Sequence, residues 1–177
     1  MAEPPPVVTP HPDTALGLLR HAVATLAYRA EKVLRDVPAG FAAFRPSPAS
    51  RTPIEVISHL GDLMEWAGRM ARGEMKWHAG AVTEWSAGRD RFFRGLAALD
   101  AALDDPAAAP FTAVIFQGPV ADALTHVGQL AMLRGMTGAP VRPESYARAT
   151  ITPGRVGPEQ EATRVEFDGD ASAPKLR

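Results

Sequence analysis

The chain has 177 residues, 46% of them apolar and 22% charged, with 19 basic against 20 acidic side chains and a net charge of −1. This length favours one domain with a core of its own, and the even charge balance gives no electrostatic case for nucleic acid or an anionic membrane surface. There is no cysteine, which excludes disulfides, thiolate metal sites and a cysteine nucleophile.

Residues 1–12, MAEPPPVVTPHP, hold five prolines and predict an extended arm, since proline neither donates to a helix nor fits its interior. The segment lacks the basic start and apolar run of a signal peptide. No uninterrupted apolar stretch approaches the ~20 residues of a membrane span. A cytoplasmic protein is the expectation.

Asp13 can cap a first helix running to about Val37, because Leu16, Leu19, Val23, Leu26, Ala30 and Val33 recur at three- and four-residue steps. Pro38, Gly40 and the FAAFRPSPAS loop stop it. Thr52-Pro53-Ile54-Glu55 is a strong helix start, with a threonine cap, a proline in the first turn and a glutamate closing a capping box. The second helix runs to about Arg72, and Gly73 ends it. Thr83 can cap a third, over about 84–104, with Trp85, Phe92, Leu96, Leu99 and Leu103 as its stripe. FTAVIF (111–116) reads as a helical turn or two. Gly118-Pro119 opens a fourth long helix to about Met136, stopped by Gly138.

Four amphipathic helices over 13–140 predict an all-α four-helix bundle. Residues 141–177 lose the helical period and read as a tail packed over the bundle as loop or short strands. Bundles of this kind often pair through exposed helix faces, so a homodimer is expected.

Two helices carry polar residues where a bundle wants apolar ones. At about 100° per residue, Asp122, His126 and Gln129 share one face of the fourth helix, bordering its apolar stripe. His59 lies at the edge of the apolar arc of the second helix, with Asp62 and Glu55 next round that edge. An unpaired polar group inside a bundle costs roughly 2–7 kcal/mol, so these groups are either paired with each other or bound to something. Side chains at i and i+4 are ~5–6 Å apart at Cβ, near enough to converge on one ion. Two histidines and a carboxylate then leave positions open for water or substrate. An internal hydrogen-bonded Asp122–His126 pair is the competing reading. Among other candidates, His21 reads as solvated beside Tyr28, His78 as surface, and Arg89 and Arg134 as reaching out to solvent.

The stretches RTPIEVISHLGDLMEWA (51–67) and GPVADALTHVGQLAMLRGMTGAPV (118–141) resemble the DinB/YfiT-like superfamily of metalloenzymes. There a helix-2 histidine follows a capped start of this kind, and helix 4 carries a His-x-x-x-His pair followed by Gly-Gln and Leu-Arg. The resemblance covers about residues 13–140. It implies a bundle of DinB topology and a divalent ion held at His59, Asp122 and His126, with Gln129 and Asp62 supporting the ligands. This chain departs from the pattern at Asp122, where the family usually has histidine. Aspartate remains a competent ligand, and the harder donor set leaves nickel, zinc, manganese and iron all open. The resemblance further implies a transferase using an external low-molecular-weight thiol, or a hydrolase using activated water, acting on a small-molecule substrate. A non-catalytic bundle serving as a stress-associated binding or dimerisation module is the alternative.

Overall fold

The structure, a computed structural model, describes residues 14–160 and 164–166. Four long helices build it: α1 (Ala15–Leu34), α2 (Pro53–Met70), α3 (Trp85–Ala102) and, after the short α4 (Thr112–Ile115), α5 (Ala121–Met136). No strand occurs among the described residues; one isolated antiparallel bridge joins Glu144 to Glu166. The all-α expectation therefore holds. The arm and its Asp13 cap lie outside the described residues.

Local chemistry explains most helix ends. Thr14 caps α1 by accepting from Gly17 N–H. The predicted capping box opens α2: Thr52 N–H donates to Glu55 Oε2 at 2.6 Å, and the Thr52 hydroxyl accepts from Glu55 N–H at 3.4 Å. Gly73 (φ +83°) and Gly138 (φ +78°) end α2 and α5 in the left-handed conformation that favours glycine. The Thr83 cap is corrected: Glu84 occupies that position and makes no side-chain cap. Nor does Gly118-Pro119 open a helix. It lies in a π-helical turn, Phe116–Val120, that joins α4 to α5 without a break. Pro119 has no N–H to return to an i−4 carbonyl, and the wider turn accommodates its ring.

α2 packs along α3 over most of its length, α1 packs on α3 and α5, and α5 packs on α2. α1 thus lies diagonally across from α2, and α3 across from α5. Glycines let α2 and α3 close up: a Cβ on Gly95 would sit 2.7 Å from Met64 Cβ, and one on Gly88 2.8 Å from Ile57 Cγ2. Leu26, Ile57, Leu60, Met64, Phe92, Leu96, Leu99 and Leu130 fill the centre with no solvent exposure. By length and composition alone the helical stretch Pro106–Met136 is apolar enough to cross a membrane, although no uninterrupted apolar run marks it in the sequence. In this fold α5 packs on α1 and α2 and buries Ala123, Val127, Leu130 and Leu133.

The tail is fixed to α1 by ions. Lys32 Nζ lies 2.9 Å from Glu144 Oε2 and 2.6 Å from Glu166 Oε1, while the Tyr28 hydroxyl donates to Glu144 Oε1. Arg164 pairs with Glu31 and stacks on the Tyr28 ring at 4.4 Å. Burial and the neighbouring carboxylate push the Tyr28 hydroxyl far above its ordinary pKa. Tyr28 is fully buried, and His21, expected to be solvated, is half-buried. Arg134 does not reach solvent either. It is buried and donates to the carbonyls of Val33 (3.1 Å) and Arg35 (2.7 Å), supplying donors for the otherwise unpaired carbonyls at the C-terminus of α1.

Candidate metal centre

The capping box fixes where α2 begins and so which way His59, two turns on, faces. The π-turn at Pro119 resets the rotational phase of the helix beyond it, which carries Asp122 and His126. The two helices bring these three residues together, and one ligand atom from each lies within 4.8 Å of both others. Asp122 sits between the rings: its Oδ2 is 3.2 Å from His59 Nε2 and its Oδ1 is 3.5 Å from His126 Nε2. The imidazoles meet edge to face at 4.9 Å between centroids. His126 is buried; His59 and Asp122 are half-buried.

These distances suit a shared ion. Two donor atoms ~2.1 Å from one metal at a tetrahedral angle stand about 3.4 Å apart, close to the separation of each imidazole from the nearer Asp122 oxygen, Oδ2 for His59 and Oδ1 for His126. The group is therefore one that can hold a metal ion. Gln129 supports it: His126 Nδ1–H donates to Gln129 Oε1 at 2.7 Å. With Nδ1 turned to Gln129, Nε2 is the ring nitrogen that faces the centre, the atom a ligand would use.

Asp62 does not join them. Its Oδ1 accepts from Gly80 N–H at 2.8 Å and from Arg91 at 2.7 Å, so it pins the α2–α3 connector to α2 and gives no support to the ligands. The physical reason is charge: the Arg91 guanidinium lies over Gly61, where a Cβ would meet it at 3.1 Å, and captures both Asp62 and Glu65. Glu55 is likewise committed, to the cap and to Arg45.

Sequence reading missed two neighbours. Trp77, in the connector, sits 5.8 Å from the His59 ring and edge-on to Trp66. The Trp66 indole N–H donates to Met75 O and helps hold that connector in place. Arg51, just before the α2 cap, borders the same cavity as the three candidate ligands. Both are loop residues, outside any periodic pattern. The cavity has a volume of about 580 Å³ and lies open to solvent beside the cluster.

Comparison with known proteins finds no matching family model, no matching curated protein and no matching solved structure.

Proposed function

We propose that this chain is a divalent-metal-dependent enzyme of the DinB/YfiT type, holding one ion through His59, Asp122 and His126. One observation carries the reading: three ligand-type side chains from two helices lie within 4.8 Å of one another at the wall of an open cavity. Three protein ligands leave coordination positions vacant, the mark of a catalytic rather than a structural site. A divalent ion there supplies Lewis-acid chemistry, lowering the pKa of a coordinated small thiol or water to make a nucleophile near neutral pH. The absence of cysteine is consistent with a thiol brought from outside.

The protein's own contributions come from the geometry. Asp122 balances charge and orients both imidazoles. Gln129 orients the His126 ring through its Nδ1. Trp77 stands beside the His59 ring, 5.8 Å between centroids, and the cavity admits a small organic substrate.

A second reading has its own support. The 3.2 and 3.5 Å separations also suit ion-paired histidines, so Asp122 can satisfy both rings without an ion, as in a non-catalytic binding module. Elemental analysis of the purified protein beside an Asp122→Ala variant separates the two. The enzyme reading expects close to one divalent ion per wild-type chain, strongly reduced in the variant, and turnover of a thiol-transfer or ester substrate that tracks metal content. No bound metal after incubation with nickel, zinc, manganese and iron in turn overturns it.

A further inference from the structure

We infer that the cavity beside the His59–Asp122–His126 cluster takes a small organic anion, a carboxylate with an apolar body, and that Arg51 anchors its charged end. Part of this rests on the metal reading, since an ion would supply the second positive charge.

The lining of the cavity points to such a ligand. Arg51 is exposed at the cavity and pairs with no carboxylate among the described residues. Other arginines nearby differ. Arg45 is matched by Glu55 and by the Ser50 carbonyl, and Arg91 by Asp62 and Glu65. A guanidinium presents a planar fork of donors that fits a carboxylate with two parallel hydrogen bonds.

The remaining polar groups agree. Gln129 spends its Oε1 on His126, which leaves the Nε2 amide hydrogens as donors. The carboxylate on the wall, Asp122, is hydrogen-bonded to His59 at 3.2 Å and lies 3.5 Å from His126 Nε2, and the ion of the metal reading would answer its charge. With that charge answered, the cavity offers a ligand mainly donors, from the Arg51 guanidinium and the Gln129 amide, complementary to an acceptor-rich anion. Val56, Met132, Leu133 and Pro46 line the rest and suit a hydrocarbon or aromatic body. A cation would leave the Arg51 guanidinium unmatched.

Calorimetric titration with matched pairs tests this: acetate against acetamide, benzoate against benzamide, and 3-phenylpropionate against its amide. Each pair is run on apo and zinc-loaded wild-type protein and on Arg51→Gln and Arg51→Lys. The expected result is preference for the carboxylate over its amide, greatest for the two aromatic acids. Arg51→Gln should weaken carboxylate binding roughly tenfold to hundredfold, and Arg51→Lys should retain part of it. Amide binding should not move. Failure of every carboxylate to outbind its amide by millimolar concentration, or equal carboxylate affinity in wild type and Arg51→Gln, overturns the inference. Arg51-dependent carboxylate binding by a protein that takes up no zinc supports the anion site while removing the metal reading.

Discussion

Two charged clusters stand on different helices and are built in opposite ways. Along α1, Lys32 and Arg164 are each paired with two of the carboxylates Glu144, Glu31 and Glu166, and the Lys32, Glu144 and Arg164 side chains are almost wholly enclosed. Between α2 and α5, His59, Asp122 and His126 converge on one point at the wall of an open cavity, with Arg51 unmatched beside them. A cluster whose charges are answered internally and sealed from water fastens chain to chain. A cluster left open, with ligand-type side chains and an unmatched guanidinium at a cavity, is arranged for something that arrives from solution.

That contrast can be broken first at the closed end. Glu144→Ala leaves the buried Tyr28 hydroxyl without its acceptor and takes one of two carboxylates from each of Lys32 and Arg164, which keep Glu166 and Glu31; it should cost about 2–3 kcal/mol. Denaturant unfolding reads the loss, while metal uptake by the folded fraction should be unchanged. Gly95→Ala probes the packing on which both clusters depend. Its new methyl would stand 2.7 Å from Met64 Cβ, and the forced separation of α2 and α3 should cost about 1–3 kcal/mol despite alanine's better helix propensity. It should leave neither cluster's chemistry altered once folded.

His126→Ala tests the open end. It removes a candidate ligand and two polar contacts, so a stability loss of about 1–2 kcal/mol is expected by thermal melting of the metal-free protein. Metal binding should be lost. A stability loss as large as that of Glu144→Ala, with metal content unchanged, would make the open cluster a second staple and erase the distinction.

The smallest effect concerns the half-exposed Glu65–Arg91 pair. The Arg91 guanidinium holds the Glu65 carboxyl below the usual carboxylate range. A depressed folded-state pKa contributes stability above the unfolded value of about 4.3 and loses it as pH falls through the folded value. Glu65→Gln should therefore cost under about 1 kcal/mol near neutrality, given solvent screening, and nothing once the pH is well below 4. Paired unfolding curves at about pH 7 and about pH 3 check the sign.

The open cluster was legible in the sequence and the closed one was not, for a physical reason. Periodicity and capping are local signals. They set where α2 begins, which face carries His59, and that Asp122 and His126 stand four apart on one face of α5. The pairing of Lys32 with Glu144, 112 positions away, leaves no local mark. Nor does the reach of Arg134 back to the end of α1, where a residue expected at the surface serves as a buried cap. The π-turn at Pro119 reads as a helix start because a proline near a glycine usually marks one. Asp62 has the right place on the wheel to support His59, but competition from Arg91 on α3 decides its partner.

X-ray absorption spectroscopy of the protein loaded with one equivalent of zinc or nickel tests the central claim most directly. The predicted inner shell has two imidazole nitrogens and carboxylate oxygen at ~2.0–2.2 Å, and it loses one imidazole in His59→Ala. An inner shell of oxygen alone, or one unchanged by removing His59, would contradict it.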